Sequence, residues 1–351
     1  MVKKHLCWSL ILVFILLLTS ACAGAQISPS TYPSTLEPHG PAAARIAELW
    51  WVMLALGTAV WLVVVGLMFA ALLRRRRGTS ATDPDSVGGE TGRNWPIFGG
   101  IVVPLILIGV TFGYSIYTLA AIENPIEKPP IEIQVIGRRW WWEVKYPDQS
   151  VITANEIHLP VGVAAQVKLQ TADVIHSFWI PELHGKMDLI PTRINHITLQ
   201  ADKVGIYRGE CAEFCGLQHA HMGFMVVVES QADYDKWIKA QQQAAAAPTD
   251  VAAQRGEQVF LSVGCVFCHH VRGLEEQEKE IDRSSVDLGP DLTHLDSRLT
   301  IAGASLAQNR GNLAGWIVDA QHVKPGALMP NMNNMTSEDL QSLIAYLESL
   351  H

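Results

Sequence analysis

The stretch Gly209-Glu-Cys-Ala-Glu-Phe-Cys-Gly-Leu-Gln-His-Ala-His-Met-Gly223, followed at once by the apolar run Phe224-Met-Val-Val-Val228, decides the reading of this chain. It gathers the thiols of Cys211 and Cys215, the imidazole of His219 and the thioether of Met222 within one short loop. Soft thiolate and thioether donors select copper or zinc over hard cations, and a thioether beside imidazole and thiolate favours copper. A second imidazole has to come from elsewhere. His176, in Thr171-Ala-Asp-Val-Ile-His-Ser-Phe-Trp-Ile-Pro181, is the best placed, because the alternation there predicts a strand end. Two plainer readings stand beside this one: a disulfide between Cys211 and Cys215 in an exported domain, or a zinc site built from the same thiols and two histidines. Neither uses Met222.

The pattern Cys-x-Glu-Phe-Cys-x-x-x-His-x-x-Met, with Asp173-Val-Ile-His-Ser-Phe178 upstream, resembles the dinuclear copper (CuA) loop of cytochrome c oxidase subunit II. The resemblance implies a cupredoxin domain, a β-sandwich or barrel, in which Cys211 and Cys215 are bridging thiolates and His176 and His219 terminal imidazoles. It further implies Met222 as a weak ligand of one copper and the backbone carbonyl of Glu213 as a ligand of the other. The Glu213 carboxylate would reach a magnesium or manganese ion shared with subunit I. In Trp140-Trp-Trp142 the resemblance points to Trp140 as the electron-entry aromatic, while Arg138 and Arg139 depart from the residues usual before it.

Length and composition agree with more than one domain and with a membrane. The chain has 351 residues, 49% hydrophobic and 17% charged, which is apolar for a soluble protein. A net charge of -8 speaks against nucleic-acid binding, which requires a basic face. Residues 1–25 read as an export signal, with Lys3 and Lys4, an apolar core over Leu10–Leu18, then small residues. Thr19-Ser-Ala-Cys22 doubles as a lipoprotein cleavage box that would leave Cys22 lipidated; ordinary cleavage after Ala23 or Ala25 is the alternative. Residues 26–44, rich in Pro, Ser and Thr, read as a flexible spacer. Residues 45–73 and 95–121 are apolar runs long enough to span a bilayer core, which takes about 20 residues. Arg74-Arg-Arg-Arg77 places the loop 74–94 in the cytoplasm and both redox domains on the outer, periplasmic side.

After Pro125, Pro129 and Pro130 the period changes. Ile131, Ile133 and Val135 alternate, as do Val167 and Leu169, and apolar runs recur between turn signals, so an antiparallel sandwich is expected over 122–240. A Gln- and Ala-rich linker, 241–249, is either a helical extension or a tether.

Residues 250–351 carry Cys265-Val-Phe-Cys-His269, the attachment signature of c-type haem, in which two thioethers fix the porphyrin and the histidine binds the iron. Asp250–Ser262 reads as a helix leading into it. Lys324-Pro-Gly-Ala-Leu-Met-Pro330 offers Met329 as the sixth ligand in preference to Met332 and Met335, which read as core or surface methionines. Thr336-x-x-Asp339 is a capping box, and Leu340, Leu343, Ile344 and Leu347 share one helical face that should pack on the first helix. Leu288-Gly-Pro-Asp-Leu292 resembles the segment of class I cytochrome c whose proline carbonyl, here that of Pro290, accepts the hydrogen bond of the haem histidine. The charged stretch 275–287 reads as a solvated insert. His158, His184, His196, His221, His294 and His322 match no ligand position.

Together the two resemblances imply a multi-domain membrane protein: a two-helix hairpin, a cupredoxin domain, then an all-α cytochrome c domain. They describe a bacterial oxidase subunit II fused to its own haem c. Electrons would enter from an external donor (a small cytochrome c, a cupredoxin or a quinol-oxidising complex) and pass through haem c and copper to the haem of subunit I. There oxygen is reduced to water and protons are pumped, with subunit III as a further partner. The corresponding subunit of a copper-containing nitric oxide reductase is the alternative. Nitrous oxide reductase shares the copper loop but is expected to be soluble and joined to a propeller domain absent from this sequence.

Overall fold

The structure, a computed structural model, describes residues 33–76, 90–123, 129–274 and 289–351. The export signal with Cys22, the loop arginine Arg77 and the insert 275–287 lie outside the described residues.

Helix α1 (Pro41–Arg76) runs 36 residues, about 54 Å at 1.5 Å per residue. It begins before the expected 45, and this corrects the reading of residues 26–44 as wholly spacer. His39 N–H donates to the Glu182 carbonyl (2.7 Å) and its own carbonyl accepts from Asp202 (2.7 Å). Gly40 approaches so closely that a Cβ there would lie 2.5 Å from the Gln200 carbonyl oxygen. Polar composition signalled a flexible segment, but a glycine that admits backbone contact lets its end dock.

Helix α2 (Glu90–Ile97) passes through a π-turn at Phe98–Val102 into α3 (Val103–Glu123). The turn lies between Pro96 and Pro104 and contains Gly99 and Gly100, the residue types that interrupt a regular helical ladder. Pro41–Leu73 and Asn94–Glu123 are long and apolar enough to cross a membrane. Their large side chains are uncovered, as at Phe69 (62% exposed) and Phe112 (66% exposed).

Ten strands follow: β1 (Ile131–Arg138), β2 (Trp141–Tyr146), β3 (Val151–Ala154), β4 (Glu156–Pro160), β5 (Ala165–Thr171), β6 (His176–Trp179), β7 (Met187–Leu189), β8 (Asn195–Leu199), β9 (Gly205–Cys211) and β10 (Gly223–Glu229). They form two five-stranded sheets, β3-β2-β1-β5-β8 and β4-β10-β9-β6-β7. Every second residue of β1 is buried, as the alternation predicts. The sandwich is not wholly antiparallel: β1 pairs β5 in parallel, with Ile133 opposite Val167, and β4 pairs β10 in parallel. The chain leaves the first sheet for β4 and returns as β5, and such a crossover makes parallel neighbours possible. Trp142, Phe178 and Phe224 meet at the centre, Phe178 stacked on Phe224 with centroids 4.6 Å apart.

Helix α4 (Gln231–Gln241), capped by Ser230, ends the sandwich. Residues 241–245 then lie against the last domain: Arg272 donates to the Gln241 and Gln242 carbonyls, and Ala245 N–H donates to the Arg272 carbonyl (2.8 Å). The C-terminal domain comprises α5 (Val251–Ser262), a short hairpin of β11 (Thr300–Ile301) and β12 (Leu306–Ala307), α6 (Arg310–Val318), α7 (Ala320–Val323) and α8 (Ser337–Leu347). The hairpin is an addition to the all-α expectation. Asp250 caps α5, and Thr336 caps α8 by accepting from Asp339 N–H (3.1 Å) while donating to its carboxylate (2.7 Å). The two helices cross at Gly256, where a Cβ would sit 1.9 Å from the Ser342 carbonyl oxygen.

Candidate metal centre and porphyrin cavity

Three elements aim side chains at one point. The β6/β9 register sets Phe178 opposite Cys211, so His176 at the start of β6 and Cys211 at the end of β9 share a sheet edge. The loop into β10 then folds back over them. Cys211 Sγ lies 3.7 Å from Cys215 Sγ, 3.9 Å from His176 Nδ1 and 3.3 Å from the Glu213 carbonyl oxygen. Cys215 Sγ lies 3.7 Å from His219 Nδ1 and 3.8 Å from Met222 Sδ. The two cysteines are free, so the disulfide reading fails in this structure.

All six donors named from the sequence therefore converge. Their chemistry fits soft metal: two thiols, two imidazoles, a thioether and a carbonyl, with no carboxylate among the converging atoms. The Cys215 thiol beside Cys211 pulls the Cys211 pKa down to about 3, and Cys215 is pushed up by the same neighbour. Two sulfurs this close hold one negative charge readily and a second only with cations beside them. His176 Nε2 hydrogen-bonds to Asp173 Oδ1 (2.8 Å), which leaves Nδ1 toward the sulfur. His221 points elsewhere: its Nδ1 bonds Gln218 Oε1 (2.8 Å).

The second site is an apolar cavity lined by Cys265, Cys268, His269, Met329 and Met332 from the C-terminal domain, and by Arg139, Trp140 and Trp141 from the sandwich. His269 Nδ1 donates to the Pro290 carbonyl (2.8 Å), so Nε2 is the free ring nitrogen. Burial lowers the His269 pKa, which favours the neutral imidazole that binds iron. Gly289 makes room for the ring; a Cβ there would lie 2.6 Å from its Cε1. Arg298, also lining the cavity, is buried with an Nε that has no partner among the described residues. A porphyrin fits this set: two thiols for attachment, an oriented imidazole, a thioether and a cation for its carboxylates.

Trp140 stands between the sites. Its indole Nε1 donates to the Cys215 carbonyl (2.9 Å), its ring lies 3.1 Å from where a Cβ on Gly216 would be, and it lines the porphyrin cavity. Only 9% of it is exposed, because the C-terminal domain covers it. Trp142, by contrast, is core, and Trp141 carries the Arg138 guanidinium over its ring (5.7 Å).

The sequence reading gave no role to Asp173, Arg298 or Lys324. Asp173 was in view, three residues before His176; Arg298 and Lys324 carry no local signal, since their burial arises from distant segments.

Residues 150–230 match the family model of the cytochrome c oxidase subunit II periplasmic domain, and residues 253–351 match that of cytochrome c. The chain is 31% identical over 342 residues to a protein of Alkalihalophilus pseudofirmus named cytochrome c oxidase subunit 2, covering 97% of this chain and 95% of that one. It is 30% identical to the protein of that name from Bacillus sp. (strain PS3), covering 99% of each. A quinol oxidase subunit 2 of Bacillus cereus is 32% identical over 60% of this chain and 74% of its own length. Among solved structures, the periplasmic domain of subunit II of cytochrome oxidase from Bradyrhizobium japonicum is 29% identical, with a TM-score of 0.33, covering 34% of this chain and 97% of that one.

Proposed function

Because the chain belongs to the cytochrome c oxidase subunit II family, we propose that it is the electron-entry subunit of a haem-copper oxidase, receiving electrons on its C-terminal domain and delivering them through the metal centre to subunit I. Oxygen reduction and proton pumping would then fall to subunit I; the two apolar helices carry no histidine to ligate a haem-copper centre. Cys211, Cys215, His176, His219, Met222 and the Glu213 carbonyl would together hold two coppers. Cys265 and Cys268 would bind haem c covalently, with His269 and Met329 on its iron. When bound, the two groups take up and release single electrons.

The chain's own residues hold both sites in advance. Asp173 fixes the His176 ring, the Pro290 carbonyl fixes that of His269, and the sheet edge fixes the sulfurs, so little rearrangement accompanies a change of charge. The observation that carries the proposal is Trp140, hydrogen-bonded to the copper loop and lining the porphyrin cavity. We read it as the internal relay between the two centres. The half-buried Glu213, whose carboxylate accepts from Phe214 N–H (3.2 Å), is proposed to reach a magnesium or manganese ion at the border with subunit I. The two helices would anchor the chain in the cell membrane, redox domains outside, with subunits I and III as partners.

The test is purification of the complex. Haem c absorbance, a copper-pair magnetic spectrum and consumption of oxygen are expected; consumption of nitric oxide in place of oxygen, or zinc in the thiol site, would sink the proposal.

A further inference from the structure

Lys324 follows α7 in the C-terminal domain, five residues before Met329, yet only 3% of it is exposed. Lysine is rarely so buried without a partner that needs it. Its Nζ donates to the Trp140 carbonyl in the sandwich (2.7 Å) and to the Ala302 carbonyl in its own domain (3.2 Å). Neither acceptor is a carboxylate, so among the described residues the lysine gains no ion pair in exchange for its lost hydration. What it achieves is a join between two backbones, 184 residues apart in the case of Trp140.

The next two residues continue that join. The Pro325 carbonyl accepts from Gln218 Nε2 in the copper loop (2.7 Å), and Gln218 is itself buried. Gly326, at φ +86, lets the chain turn against Leu217; a Cβ there would lie 2.9 Å from Leu217 Cδ1. Nearby, Gly223 N–H donates to the Gly303 carbonyl (2.9 Å). Lys324-Pro-Gly326 is thus fastened to Trp140, Leu217 and Gln218 on one side, and leads into the loop that carries Met329 on the other.

We propose that Lys324 is a positioning residue that sets the separation of the two redox centres: it holds the Trp140 backbone to the haem domain while the Trp140 indole is held by the Cys215 carbonyl. Trp140 is then fixed at both ends, one by each domain. The proposal rests on the reading of electron transfer from haem to copper. With both groups bound, one electron would leave an iron held by His269 and reach metal held by Cys211 and Cys215, with no bond made or broken.

The experiment uses the assembled oxidase and a laser pulse that photoreduces haem c with a ruthenium polypyridyl complex. In Lys324→Met, haem c and copper spectra are retained and the photoreduction step is unchanged, while the internal rate from haem to copper falls severalfold, because tunnelling rates decay exponentially as the centres move apart. Lys324→Arg, which keeps the donors, recovers most of the loss. Independently of metal loading, hydrogen exchange of Gly223 and of the peptide 302–305 rises in Lys324→Met. An internal rate unaltered in Lys324→Met, no recovery in Lys324→Arg, or unchanged exchange each overturns the positioning role while leaving the electron path standing. Failure of the wild-type protein to pass the electron from haem to copper overturns the path and the positioning role together.

Discussion

His219 and His221 share one short 3-10 turn, and two residues of spacing send them to different partners. His219 Nδ1 faces Cys215 Sγ at 3.7 Å, whereas His221 Nδ1 is engaged by the Gln218 amide. His219→Ala is therefore expected to abolish the copper absorption, and His221→Ala to leave it in place; optical spectra of the two copper-loaded variants check this, and the reverse result would reassign the ligand. The choice between the methionines that line the porphyrin cavity is likewise a single-residue question. Met329→Leu should lower the haem c midpoint potential by removing the proposed sixth ligand, and Met332→Leu should not, as redox titration of each variant would reveal.

At the scale of elements, β4, β10 and α4 meet on a buried imidazole. His158 bonds Glu229 Oε1 through Nδ1 (2.9 Å) and Glu156 Oε1 through Nε2 (3.0 Å), and stacks on Trp237 with centroids 3.9 Å apart. Glu156 also accepts from Leu299 N–H of the last domain (2.9 Å), and its charge is felt by the buried Arg298. Tyr146 OH packs on the His158 backbone. Burial alone would lower the His158 pKa, but the two carboxylates outweigh it and the net shift is upward. A folded-state pKa raised above the unfolded one stabilises the fold fully below the unfolded value of about 6.5, and the contribution disappears as pH climbs through the folded value. His158→Gln should cost about 3 kcal/mol at pH 6, since it strands two acids, and the difference from wild type should shrink as pH rises. Thermal unfolding at several pH values measures this; a pH-independent difference would refute it. The crossing of α5 and α8 gives a second test: Gly256→Ala forces its Cβ into the Ser342 carbonyl and should destabilise the haem domain by about 1–3 kcal/mol, read from denaturant melts followed at the haem band.

For the molecule as a whole, charge and apolar surface divide by region. The last domain, residues 250–351, contains 14 acidic and 7 basic residues, whereas α1 and α3 present uncovered apolar side chains. If, as proposed, electrons enter through this acidic domain, it would draw a basic donor, and such steering is screened by salt. Reduction of the haem by a basic cytochrome c should slow steadily as ionic strength rises in stopped-flow mixing; a salt-insensitive rate would remove the steering.

The donor set of the metal loop, the haem attachment motif, the apolar helices and the capping box at Thr336 were all determined by the sequence, because each is set by residues a few positions apart. The strand alternation over Ile131–Val135 was equally readable, since a half-buried strand needs period two. Tertiary structure alone decided the parallel pairings of β1 with β5 and of β4 with β10, the docking of His39 and Gly40, and the covering of Trp140. It also decided the burial of Lys324 and Arg298. Those outcomes depend on segments far apart in the chain meeting at a surface, and a local pattern of residue types does not encode which distant carbonyl will stand opposite a given side chain.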